Sequence, residues 1–419
     1  MVLFRQSLTD RIKPKTQGSD PNIMIFSPWC YGHHPTYLGH LISYWHKQQL
    51  PGILNIVVFS QFFREHADVV EMQAGGDRQS VRFVGMTAEE QANLEAATSG
   101  ASRAFEQYKL ISKYADLLQA TKGLVIYFDS CQLPLVLGLR LPCPFSGIYY
   151  RPTFHYSHFT NSTPTWKERI QHLRERIFLW RLLQHPQLKT LFSLDPLAVE
   201  HIARLGDRDR VLPLPDPIKL DLASEHLPGA LRDELGIEPD RQIFLSFGRL
   251  AEGRKGIYQL VEAVSNLSPD LQRKLCLLFV GEPDAEQMER WLAPIRHLDA
   301  LQIVSLHGYV PESSVQSYFQ LADVVLAPYQ KHIGMSGILL QAAAANKPVI
   351  SSEYGLMGEM VRRYGLGLAV DSTVPREIAR AMTRFLLEAP DNLCDRHKMR
   401  SFVEQNSVER FADVIFRNI

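Results

Sequence analysis

Cysteine is scarce in this chain of 419 residues. There are five, Cys30, Cys131, Cys143, Cys276 and Cys394, an odd number, scattered and never paired as CxxC. That spacing gives no zinc framework and fits reduced thiols in a cytoplasmic setting. Net charge is also lacking, since Lys+Arg and Asp+Glu both total 45. No global field draws a polyanion, so a nucleic-acid partner is not expected. Long apolar runs are missing: none approaches the roughly 18–20 residues that a spanning helix needs. The opening "MVLFRQSLTDRIKPK" has no apolar core of the signal-peptide kind. No strand-like run is followed by GxGxxG, which counts against a nicotinamide-dependent oxidoreductase.

What is present is an ordinary globular composition, 45% hydrophobic and 21% charged, in a chain long enough for two or three domains. Short apolar runs alternate with helical-length segments. In the first half they are "NIMIF", "ILNIVVFS", "VRFVG", "GLVIYF", "FSGIYY" and "LKTLFSL". In the second half they are "QIFLSFG", "KLCLLFVG", "LQIVSLHG", "DVVLAP", "KPVISS" and "GLGLAV". Continuous apolar strands separated by helices predict an α/β fold with doubly wound parallel sheets. The alternation pauses at "RVLPLPDPIKLDLASEHLPG", where prolines interrupt it. Two Rossmann-like domains joined by a linker follow, with the expected site in the cleft between them, beyond the carboxyl ends of the strands.

Two segments after strands carry chemistry. In "SFGRLAEGRKGI", Arg249 and Lys255 flank a glycine-containing loop that leads into a helix. Two fixed cations there suit a diphosphate, whose charge they neutralise without a metal. In "APYQKHIGMSGILLQAAAANKPVISSEYG", a strand runs into Gly334, Met335, Ser336 and Gly337, where a helix begins. The free N–H groups of such a first turn form an anion site.

The motifs "FGRLAEGRKGI", "LLFVGEP", "LHGYVPESSVQSYFQLADVVLAP" and "GILLQAAAANKPVISSEYG" resemble, in order, the donor domain of retaining GT-B glycosyltransferases of family 4. The resemblance covers about residues 190 to 371. It implies a GT-B fold of two facing Rossmann-like domains: 1–212 on the acceptor side, a linker at 213–228, a donor domain at 229–399, and a helix at 400–419 crossing back. It also implies a hexosyltransferase-like enzyme using a UDP-linked sugar and a glycan or lipid-linked acceptor, with no metal or other cofactor. The setting it implies is cell-surface or exopolysaccharide assembly, in the cytoplasm or at the inner face of the membrane.

By the same resemblance Arg249 and Lys255 bind the donor diphosphate, with Gly248 and Gly281 beside them, and Gly308, Tyr309 and Val310 lie near the base. The family's paired glutamates are replaced: Ile333 stands at the first position and Gln341 at the second. Gln341 offers an acceptor and donors for a ribose hydroxyl. Isoleucine cannot grip the donor sugar, and His332 is the neighbouring substitute. In the first half, the family often has a histidine after the strand "GLVIYF", and Asp129 stands near that place. Asp129 either positions the acceptor or caps the following turn.

The stretch "SPWCYGHHPTYLGHL" falls after the first strand, where the family has its glycine loop. Gly32 permits close approach, His33 or His34 donates to a phosphate or sugar oxygen, and His40 is structural. The helix "WKERIQHLRERIFLWRLLQHP", residues 166 to 186, carries an apolar face among five cations. It either packs as an ordinary helix or makes peripheral contact with an anionic membrane. Asp207 and Asp209 form a DxD in a polar turn and read as solvated. Two rival readings remain, a non-hydrolysing UDP-sugar epimerase and a non-catalytic GT-B scaffold.

Overall fold

In the computed structural model the described residues are 20–75, 80–156, 164–219, 228–250, 253–281, 285–308 and 310–419. Seven strands build the first sheet: β1 (Asn22–Phe26), β2 (Ile53–Phe59), β3 (Val81–Met86), β4 (Lys122–Val125), β5 (Phe145–Tyr149), β6 (Leu188–Ser193) and β7 (Val211–Pro213). Six build the second: β8 (Gln242–Phe247), β9 (Leu275–Gly281), β10 (Gln302–His307), β11 (Val324–Ala327), β12 (Val349–Ser352) and β13 (Gly367–Val370). The spatial orders are β3-β2-β1-β4-β5-β6-β7 and β10-β9-β8-β11-β12-β13. Neighbouring strands pair parallel throughout. Each sheet therefore reverses its winding once, between β1 and β4 and between β8 and β11, and a crevice opens at each reversal.

The continuous apolar runs follow from burial on both faces. Ile243 and Leu245 of β8 enter one core of the second domain, while Phe244 between them enters the other. Side chains alternate across a strand, so a run without polar residues is one with no solvent face. β7 lies in the proline-interrupted stretch and meets the expected linker at Pro213. It is three residues long at the sheet edge, and Pro213 is tolerated there because an edge strand need not donate on both sides.

The last helix, Val408–Asn418, sends Phe411, Ala412 and Ile415 into the first domain's core. Tyr44 donates to its Asp413 at 2.7 Å. Crossing begins later than residue 400, because helix Arg396–Gln405 still buries Met399, Phe402 and Val403 in the second domain. The outgoing and returning chains are stitched together. Ile218 bridges Ser407, and the Ile218 N–H donates to the Asn406 carbonyl at 2.8 Å. Tyr37 donates to Asp216 on the same crossing at 2.5 Å.

Candidate active site

Three adjacent strands of the second sheet end in left-handed glycines: Gly248 after β8, Gly281 closing β9 and Gly308 after β10. A Cβ on Gly281 would stand 2.4 Å from the Gly248 carbonyl oxygen, so the backbones touch where side chains would otherwise project. The result is a ledge along the carboxyl edge of the sheet. Val310 packs at the margin of the core beyond it, while Tyr309 lies outside the described residues.

Beside the ledge, at the reversal between β8 and β11, cations gather. The Lys255 ammonium donates to the Tyr329 hydroxyl and to the Phe247 carbonyl, the latter at 3.5 Å, and lies 4.2 Å from the Tyr329 ring centre. Lys255 thus bridges the two loops that flank the crevice. Gly256, at φ 73, begins helix Ile257–Ser265 directly under Pro328, whose carbonyl oxygen would be 2.1 Å from an added Cβ. Arg249 is exposed at the rim of the same loop.

Two further cations were not read from the sequence. Arg254 donates to Nδ1 of His332 at 3.0 Å. Arg151, from the first domain, brings its Cγ to 4.0 Å from the place a Cβ on Gly334 would take, and its charge reaches His332. Burial lowers His332 to about 4, and the charges of Arg254, Lys255 and Arg151 push the same way. His332 is therefore neutral, with its proton on Nε2 facing the Met335 carbonyl at 3.3 Å. This corrects its expected role: both ring nitrogens are engaged inside the protein, so His332 shapes the loop instead of reaching a donor. Ile333 and Met335 pack against the second-domain core.

Gly334 is corrected too. Its N–H donates to the hydroxyl of Tyr156 at 2.8 Å. Tyr156 comes from the first-domain loop after β5, yet it is buried among second-domain residues and wedged under Gly355. The helix start lies two residues on. Ser336 adopts an extended N-cap conformation, and no side chain caps helix Gly337–Ala344. Gln341 is half-buried one turn in. Across the cleft, Cε1 of the exposed His33 approaches to 4.0 Å of where a Cβ on Gly337 would stand. The loop after β1 and the loop after β11 meet there, with Gly32 exposed at φ 68 beside them.

His34 and Asp129 do not belong to the reacting set. His34 is buried, with Nδ1 2.7 Å from the Ser27 hydroxyl, and burial followed by the His33 charge lowers it to about 3. It is a neutral strut between β1 and its helix. His40 is lowered to about 4, chiefly by burial. The two carboxylate oxygens of Asp129 accept the backbone N–H groups of Tyr150 (2.9 Å) and Arg151 (3.0 Å). Burial pushes Asp129 up to about 7 against those bonds. It fixes the loop that carries Arg151 and Tyr156, and so acts on the site through backbone. Asp207 caps its own turn, accepting from the Asp209 N–H at 3.1 Å and pairing with Arg210 at 3.1 Å. Among the described residues no group of three His, Cys, Asp or Glu side chains converges as a metal site.

Residues 229–406 match the family described as Glycosyl transferases group 1. The match covers the second domain and the crossing that follows it. In curated relatives the chain is 27% identical over 218 residues to a D-inositol 3-phosphate glycosyltransferase of Streptomyces griseus, 49% of this chain and 44% of that one. It is 29% identical over 136 residues to a lipopolysaccharide 1,2-N-acetylglucosaminetransferase of Salmonella typhimurium, 31% of this chain and 35% of that one. The chain thus spans less than half the length of these curated relatives. Solved structures extend the likeness to both domains. Anabaena HepE, in complex with UDP and glucose, superposes with a TM-score of 0.64 at 12% identity, over 94% of this chain and 98% of that one. Sucrose-phosphate synthase of Thermosynechococcus elongatus gives 0.65 at 16% identity, over 95% and 98%. The two-domain architecture is the GT-B fold, and the glycine ledge, Lys255 and the uncapped helix start all fall in the region that matches the group 1 model.

Proposed function

We propose that the chain transfers a sugar from a UDP-linked donor to a hydroxyl of a glycan or lipid-linked acceptor, with retention and without a metal. The observation that carries this reading is the placing of Lys255 and Arg254 on the two loops at the second sheet's reversal, the loop after β11 leading into the uncapped helix at Gly337. A nucleoside diphosphate laid there has its base along the Gly248–Gly281–Gly308 ledge and its phosphates at the cations.

Bond breaking places negative charge on the leaving diphosphate. Fixed cations and free N–H groups stabilise that charge without having to reorganise. Lys255 contributes a point charge, and Arg249 and Arg254 planar donors that suit paired phosphate oxygens. His33 faces the same anion site from the first domain. The acceptor hydroxyl attacks from the face the diphosphate leaves, and a phosphate oxygen takes its proton, which preserves the anomeric configuration. The match of residues 229–406 to the group 1 family supports this reading, as does the likeness in fold to Anabaena HepE in complex with UDP and glucose.

The test is UDP release from a panel of UDP-sugars, with the anomeric configuration of the product read by NMR. Release that needs an acceptor, with retained configuration, is expected. Interconversion of the donor alone would instead indicate an epimerase. A second reading, a GT-B scaffold without turnover, draws on Ile333 packed against the core and Gly334 held by Tyr156. UDP-sugar binding without any release would select it.

A further inference from the structure

The helix Trp166–Leu183 is apolar on two opposite faces, and the fold uses only one of them. Leu179, Leu182 and Leu183 are buried against the first domain. Trp166, Ile170, Leu173, Ile177 and Trp180 are 68%, 58%, 59%, 49% and 47% exposed. Their alternating spacings of four and three residues place them in one stripe. At about 100° per residue the stripe covers an arc of roughly 80°, facing away from the buried leucines. Among the described residues these are five of the twelve large apolar side chains that stand exposed. A stripe this size on one helix is not ordinary surface scatter.

The flanks of the stripe are cationic. Lys167, Arg174 and Arg181 recur at seven-residue intervals along one side, and Arg169 and Arg176 along the other, all exposed. At the two ends the cations of Lys167 and Arg181 lie 5.6 and 5.9 Å from the rings of Trp166 and Trp180. The helix's two acids do not screen this charge. Glu168 is occupied in the capping box, accepting from the Thr165 N–H at 2.7 Å. Glu175 points inward, accepting from the Tyr149 hydroxyl at 2.7 Å and from Thr153. Among the described residues no carboxylate forms an ion pair with any of the five cations.

We propose that this face lies flat on an anionic lipid bilayer, with the aromatic and aliphatic stripe below the headgroups and the two cationic rows among their phosphates. Charge complementarity selects this occupant. The stripe has the spacing of a coiled-coil seam, but a second copy would bring cationic flanks against cationic flanks with no acid to pair them. This inference does not depend on the transferase reading, and its test does not use activity.

The experiment is co-sedimentation of the full chain with phosphatidylcholine vesicles and with mixed phosphatidylglycerol–phosphatidylcholine vesicles. The wild type should bind the anionic vesicles at least about tenfold more tightly, and added salt should weaken that binding. The combined Ile170→Gln, Leu173→Gln and Ile177→Gln variant should lose at least about tenfold in vesicle affinity. Its melting temperature should be unchanged, because the replaced side chains are exposed. Lys167→Gln, Arg174→Gln and Arg181→Gln together should abolish the preference for anionic lipid. Equal sedimentation of the wild type and the apolar-face variant overturns the proposal. So does a wild-type dimer that this variant converts to monomer, since the face then serves a second copy.

Discussion

Removing one hydroxyl, in Tyr156→Phe, tests how the two domains are joined at the cleft. Tyr156 is 4% exposed and accepts the Gly334 N–H at 2.8 Å. The ring remains in the variant, so no cavity opens and the packing against Gly355 is kept. What changes is that a backbone donor in a buried loop loses its acceptor, at a cost of about 1–3 kcal/mol. For a domain of this size each kcal/mol moves the midpoint by about 2–4 °C. The expected fall is therefore about 2–12 °C by differential scanning calorimetry. Hydrogen exchange should rise in the peptide spanning residues 332–337 and stay constant across β9. Tyr156→Ala, which also empties the ring's seat, should cost about 3–5 kcal/mol. A Tyr156→Phe protein that melts within a degree of wild type, with unchanged exchange over 332–337, would refute the claim that this side chain pins the loop.

Three further predictions bear on the site. Gly256→Ala should lower the melting midpoint by several degrees, since a left-handed alanine costs about 1–2 kcal/mol and its Cβ would meet the Pro328 carbonyl. Gly253→Ala, with nothing within 4 Å, should be close to neutral by the same measurement. Asp129→Asn should destabilise by about 1–3 kcal/mol, because an amide offers one acceptor to two backbone donors. Intact stability with turnover reduced a hundredfold would return Asp129 to the reacting groups. His34 sets a pH window. Below about 6.5 the unfolded chain binds a proton that folded His34 refuses until about 3, so stability falls as pH drops through that range. The wild type should lose about 1.4 kcal/mol per pH unit there relative to His34→Gln, and parallel stability–pH curves would contradict the assignment.

The strands were legible because both sheets are parallel and covered on both faces, which leaves apolar runs such as "NIMIF" and "KLCLLFVG" without polar interruption. β7 was not legible: three residues at an edge, one of them proline, carry no such signal. Arg249 and Lys255 could be read from the chain because their place after a strand depends only on local order. Arg151 and Tyr156 could not, since they matter only once the loop after β5 is seated on the second domain. Asp129 and His34 look chemical in sequence, but their contacts are with Tyr150, Arg151 and Ser27, partners that the sequence does not announce. The exposed stripe of helix Trp166–Leu183 was visible as spacing, and the structure added which of its two apolar faces is buried.

A nucleoside diphosphate bound at the second sheet's reversal would lie against Lys255. Isothermal calorimetry of UDP with the wild type and with Lys255→Ala, both in chelator, tests this placement most directly. The wild type should bind, and the variant should lose about tenfold to a hundredfold in affinity, as expected for one charge-assisted contact of about 1.5–3 kcal/mol. Equal affinity in the two proteins, or no heat of binding in the wild type, would contradict it.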